Sequence, residues 1–353
     1  MSKATEFSPK EVVLVAVNSI ITKLFLLFPS TLTTVGKSSS IILCLLTAAA
    51  GVIILYAIAA LYGKAGNKSI ITITGKVFGK TAKRIYAYII AAVFIVMSGL
   101  LLRSVSESIN MSLMPAVDVN IISLIFIIGV SVAAFAGLKA IVRCHAVVVP
   151  ITLAAAAVLF AGSIKSFDAN DIYPVFGDGA KNLLYSLLFT TYFTDFFVIT
   201  MIFPYMQKSA AAKPVIMRSA VYSSAVLIAI ISAIVLAVEN NTVIPVFRLA
   251  REFSFSSSSA VESIFTSLWF LSFYLNFSLM LYYGCKLFAM NGSYSKIIVP
   301  FAFITYGISV LPSNITVLAH WTEILDKVKL AVFFVIPIII LSVSALKKEV
   351  GDK

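Results

Sequence analysis

The sequence predicts an all-α integral membrane protein with about ten transmembrane helices. Of its 353 residues, 60% are hydrophobic and only 12% are charged, and the mean hydropathy is +1.04. Soluble domains carry about 25% charged residues, whereas repeated apolar runs of about 20 residues are typical of membrane helices. Two of these runs also carry a charge with apolar residues on both sides. We therefore expect one transmembrane domain over residues 1–353.

Ten apolar runs are long enough to be spans, with Pro ending the first and the sixth. A short interfacial helix is predicted at 63–83, and 239–259 forms either an amphipathic helix on the membrane or a solvated connector. The first run has no small-residue cleavage site after it, so it is interpreted as a retained span. The predicted spans are about 11–35, 38–62, 84–112, 119–137, 146–164, 180–207, 214–238, 260–287, 295–311 and 327–346.

The distribution of basic residues predicts the orientation. Most of the 27 Lys and Arg residues fall in connections on the same side as the N-terminus, and fewer fall on the other side, where the set includes Lys327 and Lys329. The positive-inside rule then predicts that both termini are cytoplasmic. Because the basic residues are dispersed rather than gathered in one patch, no nucleic-acid partner is expected.

Enzymatic and metal-dependent classes are excluded by the absence of their motifs. Cys44, Cys144 and Cys285 stand singly, so neither a disulfide framework nor a thiolate metal site is expected. The sequence has no nucleophile–His–acid set, no HExxH and no phosphate-binding glycine loop. We therefore expect a protein that is not an enzyme and that uses no cofactor.

The two charged runs occupy similar places in the two halves of the chain. Lys23 lies in a run that ends in Phe-Pro at 28–29, and Asp195 lies in one that ends in Phe-Pro at 203–204. A charge at the centre of the bilayer costs about 2.5–3.5 kcal/mol on insertion scales, so each needs a partner or a function. Interrupted helices in matching positions of two repeats indicate a transporter-type site near the midplane. Helices 1 and 6 are therefore predicted to be interrupted, with Lys23 and Asp195 converging between them.

Two interpretations of this pair remain open. Lys23 and Asp195 either cross-link two helices as a buried ion pair, or they hold the carboxylate and ammonium of a small zwitterion. A further alternative gives Lys23 the place of a coupling cation. Asn276 either reaches the central cavity or forms an interhelical hydrogen bond. The candidate ligand-binding residues are Ser19, Thr22, Lys23, Ser98, Thr191, Tyr192, Thr194, Asp195 and Asn276.

Arg103, Glu107 and Glu262 are further candidates for charges within the membrane. Arg103 and Glu107 are spaced i, i+4, which predicts an ion pair on one helix face. Glu262 is close to the start of its span, where a carboxylate stabilises a helix N-terminus. We therefore expect structural roles for all three.

The order of several short motifs resembles the spore germination permease family, the B subunits of Ger-type germinant receptors. That family is similar to the amino acid–polyamine–organocation transporters, which have a LeuT-like inverted repeat of five plus five helices. The residues that carry the resemblance are Phe7-Ser8-Pro9, Phe28-Pro29-Ser30, Tyr173-Pro174, Gly177-Asp178-Gly179, Phe203-Pro204, Ile244-Pro245, Arg248, Glu262-Ser263-Ile264-Phe265 and Trp269.

The resemblance implies a receptor subunit that binds a small nutrient, usually an amino acid, in the spore inner membrane or the bacterial cell membrane. It implies an A-type membrane subunit and a C-type lipoprotein subunit as partners, besides membrane lipid. The repeats would cover about 8–165 and 176–346. The family usually has Gly where this chain has Thr22 and Thr194, so unwinding of the two helices must depend on the Thr hydroxyls and the charges.

The same fold and pocket also suit a secondary transporter of amino acids. Such a carrier would be proton-coupled through Asp195, or independent of a cation because Lys23 replaces one. Fold alone does not distinguish receptor from carrier. A purely structural membrane scaffold is disfavoured because it gives no reason for the two charges in the membrane.

Overall fold

A computed structural model describes most of the chain and is helical throughout its regular structure. It covers residues 7–24, 27–65, 68–168, 173–177, 192–207, 211–238, 259–290 and 292–351, with 179, 181, 184, 245–246 and 248–249. Within these ranges, an isolated parallel bridge between Phe7 and Met206 is the one β-type contact. The predicted all-α class is confirmed.

Twelve α-helices are described, and short 3₁₀ or π segments extend several of them. The α-helices are α1 Pro9–Leu24, α2 Leu27–Gly36, α3 Ser40–Ala65, α4 Ile70–Ser112, α5 Val119–Ala136, α6 Leu138–Ser163, α7 Phe197–Ile202, α8 Ala212–Ala237, α9 Ser259–Ala289, α10 Ser295–Val310, α11 Ile315–Lys329 and α12 Ile336–Gly351. The 3₁₀ segments are Lys37–Ser39, Ile164–Ser166, Tyr192–Phe196 and Phe203–Tyr205, and Leu330–Val335 is a π-helix.

Seven helices of the described chain are long and apolar enough to cross a membrane, so the protein is an integral membrane protein. Two shorter apolar helices, Tyr192–Tyr205 and Ser295–Val310, accompany them. The count of ten spans and the interruption of the first and sixth stay predictions. The long helices are Phe28–Gly63, Ile70–Met111, Val119–Ala136, Leu138–Ser163, Ala212–Ala237, Ile264–Ala289 and Ile315–Lys347.

The start of α1 is set by a capping box. The Ser8 backbone N–H donates to the Glu11 carboxylate at 2.7 Å, and the Glu11 N–H donates to the Ser8 hydroxyl at 3.3 Å. This reciprocal pair satisfies two backbone donors that have no partner inside the helix. Pro9 occupies the first helical position, where its missing N–H costs nothing.

The connection at 63–83 contains the short helix that the sequence predicts. Ser69 caps it by accepting from the Thr72 N–H at 3.2 Å, and α4 begins at Ile70. Gly79, with φ +90° and ψ 176°, separates this turn of helix from the long span that follows. The position of this short helix at the membrane interface stays a prediction. The second predicted connection, 239–259, lies mostly outside the described residues.

Two elements occupy the interior of the bundle. α1 packs against α6, α8 and α9 and touches the 3₁₀ turn Tyr192–Phe196. Every side chain from Tyr192 to Phe203 is buried. We call Tyr192–Tyr205 segment six. Because α1 and segment six are largely enclosed by other helices, their buried polar side chains face protein rather than lipid.

The last helix begins earlier than the sequence predicts. The chain is helical from Ile315 through the π segment to Gly351, whereas the predicted span was 327–346. The prediction that Lys329 lies in an outer connection is wrong, since its side chain is only 4% exposed. A lysine directly before an apolar run is ordinarily a solvated flank, and here it is turned into the bundle instead. We call Ile315–Gly351 the last helix.

Candidate functional site

Lys23 and Asp195 meet inside the bundle. Lys23 Nζ lies 3.0 Å from Asp195 Oδ2, and their side chains are 13% and 2% exposed. Lys23 Nζ also donates to the Tyr192 carbonyl oxygen at 3.4 Å. The last turn of α1 supplies the lysine, and the 3₁₀ turn Tyr192–Phe196 supplies the carboxylate. The structure thus joins the two charges that the sequence singled out in the two halves of the chain.

A second lysine, which the sequence analysis placed outside the membrane, completes this group. Lys329 Nζ lies 3.3 Å from Asp195 Oδ1 and 2.5 Å from Asp326 Oδ1, one turn earlier on its own helix. We call Lys23, Asp195, Lys329 and Asp326 the charge cluster. The i, i+3 spacing of Asp326 and Lys329 was the available signal, but such spacing is equally common on solvated helix ends.

Three of the candidate ligand-binding residues form a hydrogen-bonded group between α1 and α9. Asn276 Nδ2 donates to Thr22 Oγ1 at 3.0 Å, and Ser19 Oγ donates to Asn276 Oδ1 at 3.2 Å. Thr22 Oγ1 donates to the Ser19 carbonyl at 3.1 Å. Of the two alternatives for Asn276, the interhelical hydrogen bond is therefore present. Because Thr22 adjoins Lys23, this group also fixes the end of α1 that carries the ammonium.

The remaining candidate ligand-binding residues have different surroundings from one another. Thr194 Oγ1 lies 3.5 Å from Asp195 Oδ1, at the limit of hydrogen bonding. The Tyr192 ring packs 4.9 Å from the Phe28 ring. Ser98 is buried in α4, and its hydroxyl has no hydrogen-bond partner among the residues that the structure describes. Thr191 lies outside the described residues.

A second polar group, which sequence reasoning missed, links α1, α6 and α9. Asn18 Nδ2 donates to the Ser272 carbonyl at 2.8 Å, and Ser272 Oγ and Thr152 Oγ1 are 2.8 Å apart. All three residues are buried. Asn18 adjoins Ser19, so two successive residues of α1 are bound to α9. No periodicity distinguishes these short polar side chains from the many others in the spans.

The ion pair predicted within the third span is confirmed. Arg103 Nη2 lies 2.8 Å from Glu107 Oε1, and Arg103 Nη1 donates to Asn120 Oδ1 at 3.2 Å. The arginine thus joins α4 to the start of α5, a structural role. Glu262 lies in the first turn of α9, as expected for a carboxylate at a helix N-terminus.

Replacing Asn276 tests whether the α1–α9 group shapes the site. In Asn276→Leu both hydrogen bonds are lost, and interhelical bonds in membrane proteins contribute about 0.6 kcal/mol each on average. We expect a fall in the midpoint of thermal unfolding in detergent, since Ser19 and Thr22 lose their partner on α9. The control is Ser278→Ala on the same helix, whose hydroxyl donates only to the Tyr274 carbonyl of α9 among described residues. Equal effects of the two changes would contradict this role.

Comparison with protein families identifies the chain. The sequence profile of a family described as spore germination protein matches residues 6–318. No protein of curated function matches the sequence. Neither this family nor the structural neighbours below are enzymes, in agreement with the sequence analysis.

Two solved structures have a similar fold at low sequence identity. The crystal structure of MhsT in complex with L-phenylalanine is 15% identical, with a TM-score of 0.64, covering 96% of this chain and 89% of that one. Mhp1, a nucleobase-cation-symport-1 family transporter with bromovinylhydantoin bound, is 15% identical, with a TM-score of 0.63, covering 95% of this chain and 78% of that one. The bundle therefore has the LeuT fold, and the family match over nearly the whole length shows that the chain belongs to the spore germination protein family of permeases.

Proposed function

We propose that this chain is the membrane subunit of a spore germinant receptor and that it binds a small zwitterionic nutrient, an amino acid, between Lys23 and Asp195. The observation that carries the proposal is the buried contact between Lys23 and Asp195, 3.0 Å apart. The ligand's ammonium pairs with Asp195 and its carboxylate with Lys23. The signal then passes to an A-type membrane subunit and a C-type lipoprotein subunit.

The energetics of the pair favour exchange with a ligand. A buried ion pair gains little net stability, because desolvation offsets most of the Coulomb attraction. A zwitterion that enters between Lys23 and Asp195 replaces one ion pair with two and leaves the local charge unchanged. The ligand signals only if it binds one conformation better than the other. A ligand that separates the Lys23 and Asp195 side chains binds more tightly to the conformation in which they are apart.

Two further observations support a small-molecule site at this position. MhsT holds L-phenylalanine and Mhp1 holds a hydantoin, so chains of this fold accommodate small polar molecules. The Tyr192 carbonyl already accepts from Lys23 at 3.4 Å, and Thr22 and Thr194 adjoin the two charges. Hydroxyls and carbonyls next to a charge orient a ligand and satisfy its remaining donors.

A secondary transporter of amino acids is the second candidate, favoured by the transporter fold of both neighbours. Uptake of labelled amino acids into vesicles that contain only this chain separates the two. The receptor predicts binding without accumulation, and the carrier predicts accumulation without partner subunits. Co-purification with the A-type and C-type subunits from sporulating cells supports the receptor.

The variant Lys23→Met tests the site directly. We expect it to abolish amino acid binding by the purified chain, because the carboxylate loses its cation. The midpoint of thermal unfolding should change little, since Asp195 keeps Lys329 at 3.3 Å. The same substitution at Lys10, which is exposed in the first turn of α1, is the control. Unchanged binding in Lys23→Met contradicts the proposed site.

A further inference from the structure

Asp195 holds two lysines from opposite ends of the chain at the same time. Its Oδ2 faces Lys23 at 3.0 Å, and its Oδ1 faces Lys329 at 3.3 Å. Lys329 in turn lies 2.5 Å from Asp326. The side chains of Lys23, Asp195, Lys329 and Asp326 therefore form a row of alternating charge. The row runs from α1 through segment six to the last helix.

We propose that Lys329 is a positioning residue that leaves Asp195 for Asp326 when a zwitterion enters, so that α11 is released from segment six by ligand binding. This inference rests on the proposed function and adds to it the route by which occupancy of the site changes the conformation. Asp326 serves as the acceptor that makes the release possible.

Repulsion among the cations around Asp195 favours the withdrawal of one lysine. If the ligand's ammonium joined Lys23 and Lys329 around Asp195, three cations would face one carboxylate in a buried site. The ligand's own carboxylate pairs with one of the lysines, and the other becomes surplus. When the surplus lysine moves to a second acidic side chain, every charge of the cluster and of the ligand faces a charge of opposite sign.

The contacts identify Lys329 as the lysine that withdraws. Its contact with Asp326, at 2.5 Å, is already shorter than its contact with Asp195, at 3.3 Å. Asp326 belongs to the same helix, so no backbone movement is needed. Among the described residues, Lys23 has besides Asp195 the Tyr192 carbonyl at 3.4 Å, which carries no full charge. Lys23 therefore stays with the ligand's carboxylate.

The position of Lys329 in the last helix determines what its release does. Lys329 is the final residue of α11, and the π-helix Leu330–Val335 follows directly. Within that π-helix, Phe333 stacks on Phe197 of segment six with ring centroids 4.3 Å apart and 5° between planes. At the other end, Lys347 Nζ donates to the Val77 carbonyl at 2.9 Å. Loss of the ion pair therefore releases α11 from segment six, while the aromatic stack retains the π-helix.

A double-mutant cycle with binding as the readout tests the exchange. The full-length chain in detergent is titrated with the standard protein amino acids, one at a time, for Asp326→Asn, Lys329→Gln and the double variant. Asp326→Asn should weaken binding about tenfold, equivalent to about 1.4 kcal/mol, because Asp195 is then the one acidic partner of Lys329 among the described residues. Lys329→Gln should bind as well as the wild type or better, and the double variant should match Lys329→Gln.

The outcomes separate the exchange from simpler roles. If Asp326→Asn weakens binding equally with and without Lys329, or if Lys329→Gln abolishes binding, the exchange is wrong while the proposed site stands. If no amino acid binds the wild type, the proposed function fails and the exchange with it. Glu323→Gln is the control, since Glu323 pairs with Lys327 on the exposed face of the same helix.

Hydrogen–deuterium exchange of residues 315–329, without added amino acid, measures the tether independently of any ligand. Lys329→Gln should raise exchange in α11 about tenfold relative to the wild type, corresponding to about 1.4 kcal/mol of local stability. Glu323→Gln should leave it unchanged. Equal exchange in the wild type and Lys329→Gln would show that the ion pair does not hold α11, and would overturn the proposal whether or not a ligand binds.

Discussion

Asp195→Asn should produce the largest loss of both stability and ligand response. The change leaves Lys23 buried with a carbonyl as its nearest described partner, while Lys329 keeps Asp326. Removing one member of a buried ion pair costs about 3–5 kcal/mol, because the remaining charge stays desolvated. We expect a clear fall in the midpoint of thermal unfolding in detergent and no detectable amino acid binding.

A double variant separates the two effects of that substitution. In Lys23→Met/Asp195→Leu no uncompensated charge remains between α1 and segment six, and apolar replacement of a buried pair is often neutral or stabilising. Stability should therefore return toward the wild type while binding stays absent. If the double variant is as unstable as Asp195→Asn alone, the cost does not come from the stranded Lys23 charge.

Gly51→Ala should disturb the site from a neighbouring helix. A Cβ at Gly51 of α3 would lie 2.0 Å from two ring carbons of Phe193, so the ring has to move. Phe193 stacks on Phe196 at 5.6 Å and packs edge-on against Tyr192 at 5.0 Å, and these residues flank Asp195. Overpacking of this kind costs about 1–3 kcal/mol. Measured by titration, amino acid binding should weaken about tenfold or more.

Gly63→Ala on the same helix is the matched control for Gly51→Ala. Among the described residues, no atom beyond its chain neighbours and its own helix backbone lies within 4 Å of a Cβ built there. Alanine is a better helix former than glycine by about 1 kcal/mol in a helix interior. Gly63→Ala should therefore be neutral or slightly stabilising with unchanged binding. Wild-type binding by Gly51→Ala would show that Phe193 moves without displacing Asp195.

The fold class was predictable because the bilayer constrains the sequence strongly. A spanning helix must be apolar over about 20 residues, so composition and run length alone predict the long helices of α3–α6. The ends are less constrained, because polar helical turns outside the hydrocarbon carry no such signal. The last helix therefore begins at Ile315 rather than near 327, and α4 includes turns that precede Gly79.

Part of the site was predictable for the same reason. Lys23 and Asp195 stand out because a charge between apolar residues is expensive in the membrane, and the structure brings them together at 3.0 Å. Lys329 could not be distinguished from an ordinary flanking lysine, since only tertiary packing turns it inward. Asn18 was missed because no sequence periodicity distinguishes it from the other short polar side chains in the spans. Whether these residues bind a ligand stays a prediction.

The pairing of Phe7 with the end of segment six constrains how this bundle can open. The Phe7 N–H donates to the Tyr205 carbonyl at 2.7 Å, and the Phe7 carbonyl accepts from the Gln207 N–H at 3.0 Å. These two backbone hydrogen bonds join the start of α1 to the end of segment six, at the end of both elements that is remote from the ion pairs. An exit path on that side requires the joint to break, or both elements to tilt as a single arm. Spectroscopic labels placed on the two elements near this joint should report the same displacement if the elements tilt together, and different displacements if the joint breaks.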